Sequence, residues 1–142
     1  MVNRKLSAEK DYPLSEKRPD LLKAPTGKTL NDITLEKVMN GQVKPEDVRI
    51  SPETLELQAQ ISDADDRKAI SRNFRRAAEL IAIPDDRLLE IYNALRPFRS
   101  TSEELIAIAE ELEEKYDAVI NGAFIREAVE VYKKRNKLKT EE

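Results

Sequence analysis

The chain has 142 residues, a length that suits one domain, and its 25 basic and 28 acidic residues give a net charge of −3. This near-balance argues against a general nucleic-acid or membrane-surface binder, which would carry a basic excess. No stretch approaches the ~18 apolar residues of a spanning helix and the first six residues lack an apolar signal core, so we expect a cytoplasmic protein.

Residues 1–33 are punctuated by residues that interrupt helices. Pro13, Pro19, Pro25 and Gly27 prevent a long helix and favour extended or turn conformations. We therefore predict that residues 1–33 form an extended N-terminal arm that docks on a partner subunit. Its leucines would be anchors without a core of their own: Leu14, Leu21, Leu22 and Leu30.

Residues 34–142 are predicted to form one helical domain. A short helix is expected from about Asp32 to Asn40, where Gly41 provides a left-handed stop. Ser51-Pro52-Glu53 has the N-cap, the first-turn proline and the first-turn acid of a longer helix. The apolar residues from Leu55 to Ile61 alternate as in a strand, but the capping signals favour a helix.

Helical periodicity continues to the end of the chain. Apolar stripes are expected on four further helices: Ile70, Phe74, Ala77, Ala78 and Ile81; Leu88, Leu89, Tyr92 and Leu95; Leu105, Ile108, Ala109, Leu112 and Tyr116; and Ile120, Phe124, Ala128 and Val131 or Tyr132. Pro84 and Pro97 separate the first three, and Thr101 with Glu104 forms a capping box. The sequence therefore predicts an all-α helical bundle of four to five helices with an extended proline-containing N-terminal arm.

The amino-acid types that are missing restrict the chemistry. The chain has no histidine, no cysteine and no tryptophan. It therefore lacks the commonest general base, the most reactive nucleophile and any thiolate or imidazole metal ligand. We predict no catalytic, cofactor-binding or metal site in this chain alone.

Charged clusters are better explained as solvated or partner-facing surfaces than as sites. The helix from Arg67 to Arg76 carries four arginines and one lysine, but no aromatic stacking platform accompanies them. The glutamates from Glu103 to Glu114 lack the histidines of a bundle metal site, although calcium or magnesium remains open. Gly27-Lys28-Thr29 lacks the earlier glycine of a phosphate loop and is interpreted as a turn.

Several segments, in the same order, resemble the small (gamma) subunit of adenosylcobalamin-dependent glycerol and diol dehydratases. The resemblance covers about residue 11 to the C-terminus and includes no catalytic motif. The segments are Asp11-Tyr12-Pro13-Leu14, Thr26-Gly27-Lys28-Thr29-Leu30, Asp32-Ile33-Thr34-Leu35-Glu36-Lys37-Val38, Asp47-Val48-Arg49-Ile50-Ser51, Asn73-Phe74-Arg75-Arg76-Ala77-Ala78-Glu79-Leu80, Ile83-Pro84-Asp85-Asp86-Arg87, Leu89-Glu90-Ile91-Tyr92-Asn93-Ala94-Leu95-Arg96-Pro97-Phe98-Arg99-Ser100 and Ala123-Phe124-Ile125-Arg126-Glu127-Ala128.

The resemblance implies a place in a dimer of heterotrimers with large (alpha) and medium (beta) subunits. In that family the other subunits hold adenosylcobalamin and potassium, and radical chemistry removes water from a vicinal diol. The small subunit is expected to support assembly without catalytic residues. Candidate interface residues lie in the arm and in the link after Leu95: Tyr12, Pro13, Leu14, Leu30, Arg96, Pro97, Phe98 and Arg99.

Within the family, the sequence analysis favours the branch that dehydrates glycerol to 3-hydroxypropionaldehyde. The segments Ala24-Pro25-Thr26-Gly27-Lys28 and Leu57-Gln58-Ala59-Gln60-Ile61 look more like the glycerol type, and only about ten residues precede Asp11. The alternative is a propanediol (diol) dehydratase subunit, which makes propionaldehyde. Two alternatives of other classes are a free helical RNA-binding or regulatory module and a small carboxylate-based enzyme.

Overall fold

A computed structural model describes residues 5–140. In this range α-helices and short 3-10 turns follow one another, and no strand forms beyond an isolated bridge between Lys23 and Thr29. The helices are α1 (Ala8–Asp11), α2 (Leu14–Lys17), α3 (Leu35–Met39), α4 (Pro52–Ala64), α5 (Lys68–Leu80), α6 (Asp85–Ala94), α7 (Ser102–Tyr116) and α8 (Val119–Lys134). The all-α class is confirmed, and the five helices of ten or more residues are α4 to α8.

The chain divides into two compact units, one up to Ala78 and the other from Glu79 onward. The boundary falls inside α5. The sequence analysis divided the chain differently, into an arm of residues 1–33 that docks on a partner and a helical domain of residues 34–142. That division stays a prediction. Residues 1–4, 141 and 142 of those two ranges lie outside the described part of the chain.

The N-terminal stretch of the first unit is folded into single helical turns. Leu6 and Leu14 are buried with Ile61 of α4, and Leu21 and Leu22 pack against them. The expectation that these leucines lack a core within the chain is therefore wrong for Leu14. Prolines forbid a long helix here, but they are compatible with short turns whose apolar side reaches α4.

Buried Asp47 fastens the loop of residues 26–28 to the short 3-10 turn Pro45–Val48. Its carboxylate accepts hydrogen bonds from the Thr26 hydroxyl at 2.6 Å and the Lys44 amide at 2.8 Å. The Lys28 ammonium lies 2.8 Å away. Lys28 first, then these hydrogen bonds, hold the pKa of Asp47 well below its usual range, so it is a charged anchor. Gly27-Lys28-Thr29 therefore belongs to a folded turn.

The longer helices of the first unit are joined by an ion-pair network. Ser51 caps α4 by accepting the Thr54 amide at 3.1 Å, which agrees with the predicted helix start. Arg75 of α5 contacts Glu56 at 3.0 Å and Asp63 at 2.9 Å. The guanidinium is thereby committed to this unit's own carboxylates.

The second unit has the larger apolar core. Its buried members come from α6, α7, α8, the link that precedes α6 and the link between α7 and α8: Ile83, Ile91, Leu105, Ile108, Ala109, Leu112, Ala118, Ile125 and Val129. The predicted α7 stripe and capping box are confirmed. On α8 the prediction is one residue out of register, because Ile125 is 1% exposed whereas Phe124 is 39% exposed.

Candidate functional site

The first four predicted interface residues lie in the first unit and differ widely in exposure. Tyr12 is 63% exposed, Pro13 is half-buried and Leu14 is only 7% exposed. Leu30 is exposed and lines a cavity of about 220 Å³ that it shares with Ile50. Leu14 thus belongs to this chain's own core, and Tyr12 is the most accessible of the four.

Tyr12, Pro13 and Leu14 line one side of a cavity of about 500 Å³ in the first unit. The remaining walls combine apolar side chains with a few polar groups: Ala8, Ser15, Leu22, Thr54, Gln58, Ile61, Ser62, Asp65, Arg67, Ile70 and Phe74. Asp65 and Arg67 at its rim pair with each other at 2.7 Å. The arrangement suits an apolar group with a polar edge.

The other four predicted residues, Arg96 to Arg99, are all exposed in the second unit. With Ser100 they form the link between α6 and α7, called the connector below. Its first turn closes through the Arg99 amide, which donates to the Arg96 carbonyl at 3.2 Å. At its end the Ser100 hydroxyl donates to the Ala94 carbonyl at 2.9 Å. These bonds give the connector a defined conformation.

Phe98 has an unusual backbone in the connector. Its φ of 65° is in the left-handed region, which is uncommon for a bulky residue. The Phe98 amide donates to the Lys137 carbonyl at 2.7 Å, and the Lys139 amide donates to the Ser100 carbonyl at 2.9 Å. The Lys137 ammonium lies 4.8 Å from the ring centroid of Phe98. The chain end therefore holds the connector in place.

Helix α6 turns part of its predicted inward stripe to the surface. Leu88, Ile91 and Leu95 follow helical spacing and pack in the core. Leu89 and Tyr92 are 62% and 61% exposed, although the sequence analysis placed both inward. Leu89 lies about 100° around the helix from Leu88, so the two cannot share one narrow face.

A second exposed apolar face was missed by the sequence analysis. Leu35, Val38 and Met39 of α3 are all exposed, at positions i, i+3 and i+4 of one helix. That spacing is visible in the sequence. The sequence analysis could have predicted this face, because a helix of five residues has few other apolar side chains to pack.

Many charged side chains among residues 5–140 form ion pairs and hydrogen bonds with one another. Seven carboxyls among the described residues have a lowered pKa: Asp20, Asp32, Asp47, Asp63, Glu103, Glu111 and Glu113. A general acid near neutral pH requires the opposite direction. Among residues 5–140 no three aspartates and glutamates converge as a metal site would require. No helix in the same range is both long and apolar enough to cross a membrane.

The basic segment formed by Arg67 and the following helix α5 is partly neutralised within the first unit. Arg67 pairs with Asp65, and Arg75 pairs with two carboxylates. Lys68 lies 3.8 Å from Asp63. Neighbouring carboxylates thus reduce the positive charge of the face that would bind a phosphate backbone.

Comparison with known proteins identifies the class to which this arrangement of helices and exposed surfaces belongs. Residues 7–139 match the family model described as "Dehydratase small subunit". The chain therefore belongs to the dehydratase small-subunit family.

Two relatives give a more specific comparison. The propanediol dehydratase small subunits of Salmonella typhimurium strain LT2 and of Citrobacter freundii are each 57% identical to this chain over 129 residues. The alignment covers 91% of this chain and 75% of each relative. The resemblance stated from the sequence is thereby confirmed at the level of a dehydratase small subunit.

Proposed function

We propose that this chain is the small subunit of an adenosylcobalamin-dependent propanediol dehydratase, the enzyme that converts 1,2-propanediol to propionaldehyde. The observation that carries the proposal is the 57% identity to two propanediol dehydratase small subunits. The sequence analysis favours the glycerol branch, but both relatives bear the name of its alternative. The proposal therefore adopts the propanediol branch.

Within this proposal the chain has a structural role. Adenosylcobalamin does not fit the cavity of about 500 Å³ in the first unit, which is too small to enclose so large a cofactor. We place adenosylcobalamin and potassium in the large (alpha) and medium (beta) subunits, and assign no step of the chemistry to this chain. Assembly would be a dimer of heterotrimers in the cytoplasm, without nucleic acid or membrane.

The contribution of this chain would be its docking surfaces. Tyr12 with Pro13 in the first unit, and the connector in the second, present exposed side chains on backbone held by hydrogen bonds. Preorganised surfaces lose little conformational entropy on association. This supports a subunit that binds its partners as an already folded body.

The branch is tested by offering the chain two sets of partners. Purified large and medium subunits of a propanediol dehydratase and of a glycerol dehydratase are each mixed with this chain, adenosylcobalamin and potassium. We expect the propanediol pair to co-elute with this chain. We also expect this pair to regain aldehyde formation at a lower concentration of this chain than the glycerol pair requires. Preferential rescue of the glycerol pair would return the assignment to the glycerol branch.

A further inference from the structure

We propose that one exposed surface of the second unit docks into an apolar pocket rimmed by carboxylates on the large subunit. This connector surface consists of Leu89, Tyr92, Arg96, Phe98 and Arg99. The identity of the partner rests on the proposed function. The chemistry of the partner surface is argued from the side chains of this chain.

The apolar part of the connector surface is more than half exposed within the second unit. Leu89, Tyr92 and Phe98 are 62%, 61% and 55% exposed. Leu89 and Tyr92 are spaced i and i+3 and thus lie on one outer face of α6, and Arg96 follows the helix directly after its C-cap residue Leu95. Large exposed apolar groups gathered in one place mark interaction sites, and aromatic residues with arginine are enriched at interface centres.

Phe98 has an unfavourable backbone conformation, although its ring is not buried within this chain. A φ of 65° is disfavoured for phenylalanine, and it persists through the hydrogen bond from its amide to Lys137. The ring is nevertheless more than half exposed. The exposed ring is therefore available for burial against a partner.

The positive charge of the connector surface indicates which groups the rim of the partner's pocket should carry. Arg96 and Arg99 flank Phe98, and Lys137 lies over its ring. Within residues 5–140 none of these three cations has a carboxylate partner at ion-pair distance. Glu104 lines the same cavity as Arg99, but its carboxylate accepts the Thr101 amide at 2.9 Å.

Four arginines elsewhere among residues 5–140 are paired with carboxylates. Arg18, Arg75, Arg87 and Arg126 each contact a carboxylate of their own unit. The local positive charge at the connector therefore stands out in a chain whose net charge is −3. Its complement is a set of carboxylates on the partner, which would accelerate association and make it sensitive to salt.

A cationic surface with aromatic rings could also receive single-stranded RNA. Membership of the dehydratase small-subunit family favours a protein partner. Nucleic acid is therefore an outcome of the test below.

Association of this chain with the cognate large subunit tests the inference by kinetics at several salt concentrations. For Phe98→Ala we expect dissociation about 10-fold faster or more, with an unchanged salt dependence. For the double variant Arg96→Gln/Arg99→Gln we expect slower association and a weaker salt dependence. Arg72→Gln/Arg135→Gln is the matched control, because it removes two positive charges from exposed arginines elsewhere and should bind like the wild type.

The outcomes separate this inference from the proposed function. Circular dichroism and thermal unfolding first establish that each variant is folded. Wild-type kinetics for both connector variants would overturn the inference and leave the proposed function standing. No association of the wild-type chain would overturn both. Binding of a single-stranded RNA oligonucleotide that Phe98→Ala abolishes would assign the surface to nucleic acid and overturn the inference.

Discussion

The carboxylate of Glu79 lies 2.6 Å from the side-chain nitrogen of Asn121 and accepts the Asn121 backbone amide at 2.9 Å. Its other oxygen accepts the amide of Ile120, 41 residues later in the chain, at 2.9 Å. Helix α8 has Ala118 at its N-cap position, so it has no local side chain that can cap it. Glu79 supplies the missing cap, and its charge lies at the positive end of the helix dipole.

Replacement of Glu79 by alanine should therefore expose two backbone donors of α8. We expect the free energy of unfolding to fall by about 2 kcal/mol, since both a cap and a charge at the helix start are lost. Urea denaturation measures this change. Glu127→Ala, an exposed position on α8, is the control and should stay within about 0.5 kcal/mol. Equal effects of the two substitutions would show that Glu79 does not cap α8.

A second pair gives the second unit a dependence on pH. The Nε atom of Arg87 lies 3.1 Å from each carboxylate oxygen of Glu111, and Arg87 lowers the pKa of Glu111 below its usual 4.5. The unfolded chain therefore binds this proton more readily than the folded chain. The stabilisation is fully present above about pH 4.5 and is lost as the pH falls through the lowered pKa.

Glu111→Gln should remove this pH dependence together with part of the stability. We expect about 1 kcal/mol less stability at neutral pH, and a smaller loss than in the wild type on acidification. Thermal unfolding followed from about pH 7 to 3 provides the measurement. Glu114→Gln, exposed on the same helix, should retain the wild-type profile. An acid transition unchanged by Glu111→Gln would contradict the assignment.

Gly122 allows α8 to approach a side chain of α7 closely. A Cβ at this position would lie 2.5 Å from the Cγ atom of Glu113, and Arg126 holds that carboxylate at 2.8 Å. Gly122→Ala must therefore displace Glu113, which offsets the better helix propensity of alanine. We expect a net change within about 1 kcal/mol in the wild type.

The same substitution should behave differently once Glu113 is shortened. In a Glu113→Ala background, Gly122→Ala should stabilise the protein by about 1 kcal/mol, because only helix propensity remains. A double-mutant cycle by chemical denaturation measures the coupling between the two positions. Strict additivity would mean that the close approach has no energetic consequence.

Two leucines of the second unit should separate folding from docking. Leu112 is fully buried, so Leu112→Ala should cost about 2–5 kcal/mol of stability. Leu89 is exposed, so Leu89→Ala should change stability by less than about 0.5 kcal/mol and yet weaken binding to the large subunit. Thermal unfolding measures the change in stability, and a pull-down with the large subunit measures the change in binding. A Leu89→Ala chain that binds normally would remove this residue from the docking surface.

Local signals in the sequence predicted the local features of the fold. The N-cap at Ser51, the capping box at Thr101 and the core stripe of α7 depend on residues within one or two turns. The cap that Glu79 provides for α8 could not be predicted in this way. It depends on residues far apart in the chain, and no short-range pattern records that proximity.

Burial was harder to predict where a helix offers two adjacent apolar positions. Phe124 and Ile125 are both apolar, and only packing against the other helices selects Ile125 for the core. Leu14 was expected on a partner, whereas Ile61 of α4 gives it an internal site. Of the predicted interface residues, the structure shows Tyr12, Leu30 and Arg96 to Arg99 exposed. Their contacts with a partner remain a proposal.

The most direct test of the central claim measures whether a dehydratase requires this chain. The large and medium subunits are expressed with and without it, separated by size exclusion and assayed for propionaldehyde from 1,2-propanediol with adenosylcobalamin and potassium. The account predicts that this chain co-elutes with both partners and that the complex lacking it loses activity or stability. Elution of this chain as a separate species, with activity and stability unchanged by its omission, would contradict the account.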